Sequence, residues 1–219
     1  MLINVLYNSF IYFLIFNITY YLSSGLLFLF DYYRILTNYK KQLGSVSEMV
    51  SNYKKIWPTV LMNTLIAIWP SILTVGYYET FFSDDFNINE LYYILPAGFI
   101  FTDIFFYFSH RILHIPILYK LFHKKHHEIT APIGFCAVYM TTFDLYLGNI
   151  VPVYLPLYLM KAHPITFKIW MIISTLNTVF LAHSGFKWFA EFHDLHHSSF
   201  KKNYGINLFM DRMFGTQIY

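Results

Sequence analysis

The sequence has little cysteine and little charge. Cys136 is the only cysteine among 219 residues, which excludes a disulfide within the chain and a cysteine-based zinc finger. Asp, Glu, Lys and Arg together make up only 12% of the residues, while 57% are hydrophobic. This balance excludes an ordinary soluble domain and indicates an integral membrane protein. A formal net charge of only +3 also argues against a nucleic-acid partner.

Long apolar segments account for most of the chain. Residues 8–30 carry no charge, and at about 1.5 Å per residue they can cross the apolar core of a bilayer. We interpret them as a retained anchor, because the run is longer than a signal-peptide core and lacks a basic start. An all-α membrane helix bundle with four to five membrane segments is predicted. The other segments are 56–78, 91–108, 143–160 and 165–182, the last two forming two spans or a deep hairpin.

The charges between these segments predict the orientation of the chain. Lys and Arg concentrate in residues 31–55, whereas residues 79–90 have none. Because cytoplasmic loops retain positive charge, the first connection is predicted to be cytosolic, and residues 109–142 and 184–219 return to that side. We find no repeat or linker, so residues 1–219 are treated as a single domain. The acidic residues of the second connection are Glu79, Asp84, Asp85 and Glu90.

Three short histidine patterns carry the functional signal. They read HRILH at 110–114, HKKHH at 123–127 and HDLHH at 193–197. A lone HxxxH is common by chance, but two copies of HxxHH are rare. Positions i, i+3 and i+4 share one face of a helix, so each HxxHH box is predicted to point its imidazoles in one direction. Pro116 is predicted to turn the chain so that the first two boxes converge.

Clustered imidazoles at a membrane surface predict metal binding. Neutral imidazole is a ligand for iron, zinc or copper, whereas the same cluster without metal would be unfavourable to bury. His183 is predicted to join the eight box histidines, and His163 is given a structural role on the opposite side. Nine ligands exceed one tetrahedral zinc, so two metals are predicted. The predicted ligands are His110, His114, His123, His126, His127, His183, His193, His196 and His197.

Carboxylates near the boxes supply candidate supporting residues. Asp103 lies seven residues before His110 on the same helical face, and it is predicted to orient a ligating imidazole. A water cavity or a pair with Arg111 is the alternative role for Asp103. Asp194 is a weaker candidate of the same kind, and for Asp194 and Asp211 the alternative is a local cap or ion pair.

The zinc metalloprotease motif HExxH is absent. Arg111 stands where the first box would need Glu, and Ala131 stands where a second His would follow the HE pair at 127–128. No general base therefore sits at the spacing that a metalloprotease requires.

The boxes and their flanks resemble the fatty acid hydroxylase superfamily, which includes the sterol desaturases. HRILHIPILYKLFHKKHHEITAPIG is similar to the corresponding run of C4-methylsterol oxidases. HSGF, HDLHHSSFKKNYG and DRMFGT resemble the C-terminal signature of the same group. YMTTFDLYLG, HPIT and HDLHHSSF also resemble sterol side-chain hydroxylases of the cholesterol 25-hydroxylase type. The resemblance covers about residues 98–217.

The resemblance implies an all-helical membrane fold with a cytosol-facing cap, in which the nine histidines hold two iron ions. Zinc can replace iron in purified protein. The implied chemistry uses O2 and two electrons, supplied from NAD(P)H through a cytochrome b5-type donor, and oxidises an unactivated C–H bond. The implied substrate is a sterol, whose C4 methyl group is oxidised in successive steps, and the implied location is the endoplasmic reticulum.

Several alternatives remain at this point. One is a sterol side-chain or fatty-acyl hydroxylase or a desaturase, and another is a non-catalytic membrane metal-binding protein. Only nine residues separate His183 from His193, fewer than in most members of the superfamily, and this shorter connection is expected to alter substrate size or access. Four lysines are a hypothetical docking site for an acidic electron donor, or else charges facing lipid headgroups. They are Lys124, Lys125, Lys201 and Lys202.

Overall fold

Apolar helices make up most of the chain. The computed structural model describes residues 1–41, 44–83, 85–131, 133–187, 190–206 and 209–218. Across these ranges the only extended pairing is an isolated bridge between Lys40 and Phe186, and no β-strand forms. The predicted all-α fold is therefore confirmed. Asp84, one of the acidic residues used to predict the orientation, lies outside the described residues.

Seven helices organise the described part of the chain. In order they are α1 (Leu2–Tyr32), α2 (Val46–Glu79), α3 (Glu90–Leu113), α4 (residues 142–159), α5 (Pro164–Ala182), α6 (Glu191–Ser199) and α7 (Phe209–Phe214). Four of them, α1, α2, α3 and α5, are long and apolar enough to cross a membrane. The remaining predicted segment, residues 143–160, also forms a helix, α4. This helix contains the buried Asp144 and is not one of the four.

The start and the interruption of α2 follow from its sequence. The Oγ of Ser45 accepts a hydrogen bond from the backbone N–H of Glu48 at 3.1 Å, which satisfies one of the free donors at the helix start. A π-helical turn at Asn63–Ala67 lies directly before Pro70, whose ring cannot continue regular α-helical hydrogen bonding. The interruption leaves the Asn63 side chain buried and directed at a neighbouring segment.

Contacts between the connections show which helix ends lie together. Glu90 accepts a hydrogen bond from the backbone N–H of His163 at 2.8 Å, and Nε2 of His163 lies 3.1 Å from the carbonyl of Ser83. The α2–α3 and α4–α5 connections therefore share one end of the bundle. At the other end, the N–H of Lys41 donates to the carbonyl of Gly185 at 2.9 Å. Helix α4 joins the two ends, and its residues span roughly 27 Å at about 1.5 Å each.

A short 3-10 segment, Gly134–Val138, packs beneath α1 and α2. The Tyr20 hydroxyl donates to the carbonyl of Phe135 at 2.8 Å. The side-chain amide of Asn63 donates to the two carbonyls that flank Tyr139, at 2.8 and 3.0 Å. These buried hydrogen bonds fix the backbone around Tyr139, which contacts one of the candidate ligands.

Candidate metal centre

The nine histidines predicted as ligands come together in two adjacent groups. Within each group the ligand nitrogens lie within 4.8 Å of one another, so each group could hold a metal ion. Seven of the nine residues are buried, and His114 and His193 are partly exposed. The first group contains His110, His114, His123, His127 and His196, and the second contains His126, His183, His193 and His197.

The four parts of the chain that supply these rings meet at one end of the bundle. The last turn of α3 carries the first box, and the chain then turns so that Pro116 starts a short helical segment, residues 116–123. This segment leads into the second box. Helix α5 ends directly before His183, and α6 carries the third box.

The rings of each HxxHH box do not all point in one direction, so that prediction is wrong. The second box also does not form one helix, because His123 ends a π-helical turn and His126 begins a separate 3-10 turn. In both boxes the histidines at i and i+4 enter one group, while the histidine at i+3 enters the other. The reason is geometric. Successive side chains of a helix are about 100° apart around its axis. The side chains at i and i+4 therefore point in similar directions, and the side chain at i+3 lies on the other side of position i.

The imidazoles approach one another through their Nε2 atoms. In the first group, Nε2 of His123 lies 3.0 Å from that of His110 and 3.1 Å from that of His127. The Nε2 atoms of His114 and His196 are 3.1 Å apart. The second group repeats this approach at 3.0 Å between two histidines of α6. The ring nitrogens that face one another are thus the ones that could bind metal.

Backbone carbonyls fix the tautomer of four of these rings. A carbonyl oxygen only accepts hydrogen bonds, so a ring nitrogen that faces it must carry the proton. In all four rings this nitrogen is Nδ1, which leaves Nε2 as an unprotonated lone pair directed into the cluster. The pairs are His110 with Tyr204 at 2.8 Å, His126 with Tyr139 at 3.3 Å, His183 with Thr178 at 2.7 Å and His196 with Lys202 at 2.7 Å.

The arrangement fits a cation. Nδ1 of His123 lies 2.7 Å from Oδ2 of Asp144, an acceptor that favours the proton at Nδ1 and a lone pair at Nε2. Two such lone pairs, those of His110 and His123, then face each other at 3.0 Å and repel unless a positive charge lies between them. Nε2 of His183 is buried and has no hydrogen-bond partner in the described part of the chain. An all-imidazole donor set suits iron, zinc or copper.

Burial keeps the rings in the form that binds metal. It lowers the pKa of His126 to about 4, and burial together with neighbouring imidazoles lowers the pKa of His183 and of His196 to about 3. Burial and the neighbouring histidines lower the pKa of His127 far below its usual value. These imidazoles are therefore neutral at physiological pH, as metal ligation requires.

The sequence comparisons agree with this geometry. The family model described as fatty acid hydroxylase matches residues 95–216, which is more than half of the chain and contains all nine histidines. The chain belongs to the fatty acid hydroxylase family. The resemblance inferred from the histidine boxes and their flanks is confirmed.

Individual members of the fatty acid hydroxylase family share about a third of their aligned residues with this chain. Fatty acid hydroxylase domain-containing protein 2 from Homo sapiens is 32% identical over 72% of the chain and 50% of its own length. Fatty acid hydroxylase ahd1 from Mycosarcoma maydis is 33% identical over 76% of the chain and 46% of its own length. Methylsterol monooxygenase 1 from Rattus norvegicus is 29% identical over 91% of the chain and 73% of its own length.

The chain spans about half the length of the first two of these relatives. No solved structure matches it.

Asp103 and Asp194, the two carboxylates predicted to support the candidate ligands, have different hydrogen-bonding surroundings. Asp103 is buried in α3 and accepts hydrogen bonds from the backbone N–H groups of Ile206 and Met210. It can reach His110 through this backbone segment, and its orienting role stays a prediction. Asp194 is buried between box histidines, and its oxygens have no hydrogen-bond partner among the described residues. Burial raises the pKa of Asp194 to about 7, although Lys41 and Lys40 oppose the shift.

Two of the four lysines in the proposed docking hypothesis are exposed. Lys124 and Lys201 face outward, whereas Lys125 lies over the Tyr139 ring and Lys202 donates to the carbonyl of Gly215. Arg111, which the sequence analysis considered as a partner for Asp103, donates a hydrogen bond to the Tyr107 hydroxyl at 2.9 Å.

Sequence reasoning missed Asp144 and the carbonyls that hold the rings. A single Asp in a helical segment carries no distinctive pattern, and a backbone carbonyl has no sequence signature at all. The one available signal was local: Thr141 is a residue type that commonly caps a helix start. In the structure its hydroxyl accepts a hydrogen bond from the N–H of Asp144 at the start of α4. Asp144 was thus predictable as a helix-start residue but not as the partner of His123.

An apolar cavity of about 310 Å³ lies beneath the histidines. It is lined by α1, α2, α4, α5 and the 3-10 segment. Val138, Leu145 and Thr178 line it. The carbonyl of Thr178 holds His183, whereas Val138 and Leu145 directly neighbour the residues that hold His126 and His123. Pro70 and Thr74 line the cavity and are exposed, so it reaches the outer surface of the bundle.

Proposed function

We propose that the protein is an O2-dependent membrane oxidase in which each histidine group holds one iron ion. The observation that carries this proposal is the convergence of nine mostly buried histidines, with four Nε2 lone pairs fixed by Nδ1–H hydrogen bonds to carbonyls. Membership of the fatty acid hydroxylase family favours iron over the other metals that imidazole accepts. Zinc bound to purified protein would be a replacement.

The residues of this chain would hold the metals and shield the reaction from water. Bound iron would supply the redox chemistry that places one oxygen atom of O2 in a C–H bond, while two electrons and two protons reduce the other atom to water. The carbonyls and Asp144 keep the ring protons on Nδ1, so Nε2 stays available for the metal. The apolar walls of the cavity exclude water and position a hydrocarbon near the histidines.

The substrate that we propose is a sterol, oxidised at a C4 methyl group in successive steps. Three observations support this assignment. The cavity is apolar, it reaches the outer surface of the bundle, and the alignment with rat methylsterol monooxygenase 1 covers 91% of the chain. A lipid that enters from the bilayer would reach Val138, Leu145 and Thr178, the lining residues nearest in the chain to the groups that hold the histidines.

A fatty-acyl chain is the second candidate substrate. Two relatives that are slightly more similar in sequence carry fatty acid hydroxylase in their names. A single acyl chain would also fit an elongated cavity of this size.

We further propose that electrons come from NAD(P)H through a cytochrome b5-type donor, and that the site faces the cytosol from the endoplasmic reticulum. The connection that carries Arg34, Lys40 and Lys41 lies at the histidine end, as Lys41 contacts Gly185 there. The α2–α3 connection, at the opposite end of the bundle, contains Asp85 and no basic residue. Positive loops remain on the cytosolic side, which supports this orientation.

Sterol profiling in cells blocked at C4-methylsterol oxidation tests the substrate. We expect the intact chain to remove the accumulated 4-methyl sterols and the His126→Ala variant to leave them. If 4-methyl sterols persist while the chain is expressed and holds iron, the C4 assignment is wrong. Hydroxylated fatty acids or side-chain-hydroxylated sterols in the same extracts would then identify the alternative substrate.

A further inference from the structure

One irregular segment supports two ligands of the first group. In residues 202–206, the carbonyl of Lys202 accepts from Nδ1 of His196 at 2.7 Å, and the carbonyl of Tyr204 accepts from Nδ1 of His110 at 2.8 Å. This segment is not helical, so no helical hydrogen bonds fix its position. Whatever anchors the segment therefore also sets the direction of two imidazoles.

The first anchor is Asp211, at the start of α7. It is completely buried, and its two oxygens accept the backbone N–H groups of Tyr204 at 2.9 Å and Gly205 at 2.6 Å. The Thr216 hydroxyl donates to the same carboxylate at 2.7 Å. Asp211 thus holds the residue whose carbonyl orients His110.

The second anchor is Asp103, on α3. This carboxylate is also buried and accepts the N–H groups of Ile206 at 2.8 Å and Met210 at 3.0 Å. The two carboxylates come so close to Gly205 that a Cβ there would lie 2.8 Å from Asp103 and 3.0 Å from Asp211. Three consecutive backbone N–H groups, those of residues 204–206, are therefore held by two buried acids.

We propose that Asp211 and Asp103 are positioning residues for the first metal group. They hold the N–H groups of residues 204–206 directly, and Asp211 also holds Thr216, whose carbonyl accepts the N–H of Asn203 beside Lys202. Through the carbonyls of Tyr204 and Lys202 they aim His110 and His196 at the metal. This inference rests on the proposed two-metal function. It also predicts selectivity between the groups, because the second group takes its carbonyl partners from Tyr139 and Thr178, which lie outside this segment.

Cobalt binding by the purified full chain tests the inference without relying on activity. Co²⁺ is used as the probe, with the metal content measured after equilibrium dialysis and the visible absorption bands reporting ligand geometry. The wild type is expected to bind two Co²⁺ ions. In Asp211→Asn an amide NH2 replaces one acceptor oxygen, and we expect one of the two ions to bind about 10- to 100-fold more weakly.

Three further variants make the test specific. His110→Ala should weaken the same ion as Asp211→Asn, whereas His183→Ala should weaken the other ion. Arg212→Gln alters an exposed neighbour that contacts Gln217, and it should keep both ions at wild-type affinity. Thr216→Val removes one hydrogen bond to Asp211 and the 3.2 Å contact with the Tyr107 hydroxyl but keeps the carboxylate, so it should fold and should weaken the same ion to a smaller extent.

The outcomes separate the two proposals. If the wild type binds two ions and both Asp211→Asn and Thr216→Val do so with unchanged affinity and spectra, the positioning role is wrong while the metal centre stands. If Asp211→Asn does not fold, Thr216→Val decides the question alone. If the wild type binds fewer than two ions, the proposed function itself fails.

Discussion

At the scale of single residues, the position of a histidine in the bundle decides its role. Nine histidines lie at one end in two groups, whereas His163 lies at the other end. There its Nδ1 accepts a hydrogen bond from the N–H of Ile165 and caps the start of α5. The sequence analysis made the same division, because the order of the apolar segments predicts that His163 lies on the opposite side of the membrane.

Substitution of single histidines should separate these roles. We expect His126→Ala to lose most of the metal of the second group, because it removes one of four ligands. His163→Ala should keep both metals and destabilise the chain by about 1 kcal/mol through the lost cap. Metal content and thermal unfolding of the two purified variants check this expectation. Equal metal loss in both would contradict the division of roles.

Asp144 should matter almost as much as a ligand. It is the only carboxylate hydrogen-bonded to a candidate ligand within the described residues, at 2.7 Å from Nδ1 of His123. Asp144→Asn is expected to weaken metal binding by the first group about 10- to 100-fold while the helical content stays the same. Metal affinity and circular dichroism would be measured together. An unchanged affinity would show that the Asp144 contact does not orient His123.

The metal-free protein should lose stability in mild acid. Unfolded histidines have a pKa near 6.5, whereas burial lowers the pKa to about 4 for His126 and to about 3 for His183 and His196. Below pH 6.5 the unfolded chain therefore binds more protons than the folded chain. We expect the unfolding temperature to fall steadily from pH 6.5 toward pH 3. A flat profile over this range would contradict the burial of neutral imidazoles.

At the scale of elements, strong local patterns were predictable and tertiary choices were not. Long apolar runs gave the helices α1, α2, α3 and α5, and HDLHH lies on the helix α6 that its spacing predicts. The HKKHH box has the same spacing but is split between two turns. Its sequence carries no mark of the split, and serving two groups does not by itself require one, because HDLHH serves both groups from a single helix.

The backbone partners of the rings also escaped prediction. Tyr139, Thr178, Lys202 and Tyr204 contribute carbonyl oxygens, which every residue possesses. Only the packing of distant segments selects them. The nine histidines that converge could therefore be identified from sequence, whereas the groups that orient their rings could not.

The π-helical turn of α2 provides a test at this scale. Asn63 lies in that turn, and its amide donates to the two carbonyls that flank Tyr139. Asn63→Leu should remove the amide donor from both carbonyls, leaving the Val138 carbonyl with only the N–H of Met140, and lower the stability by roughly 1 to 3 kcal/mol. It should also weaken the second metal group, because the Tyr139 carbonyl orients His126. Wild-type stability and metal affinity in this variant would exclude the proposed link.

At the scale of the whole molecule, the bundle combines a histidine-rich end that could hold metal with an apolar interior. The cavity of about 310 Å³ lies beneath the histidines, and its edge reaches the outer surface at Pro70 and Thr74. Amino-acid composition indicated the membrane environment, but it could not locate a cavity, because the lining comes from residues of five separate segments. This arrangement would accommodate both the lipid substrate and the redox site that we propose.

Filling the cavity should reduce turnover without removing the metals. Val138→Trp places a large ring at the inner end, next to the residue whose carbonyl holds His126. We expect the conversion of 4-methyl sterols to fall at least tenfold while the metal content stays at the wild-type level. Ile172→Trp, at an exposed position of α5 outside the cavity lining, is the matched control. Full conversion by Val138→Trp would place the substrate elsewhere.

The measurement that most directly tests the central claim is the iron content of the full chain, purified after expression with supplemented iron and normalised to protein by amino-acid analysis. The account predicts two iron ions per chain, reduced to about one in both His110→Ala and His183→Ala, because the two histidines belong to different groups. A wild-type chain that holds one metal or none when ferrous iron is in excess would contradict the two-metal centre.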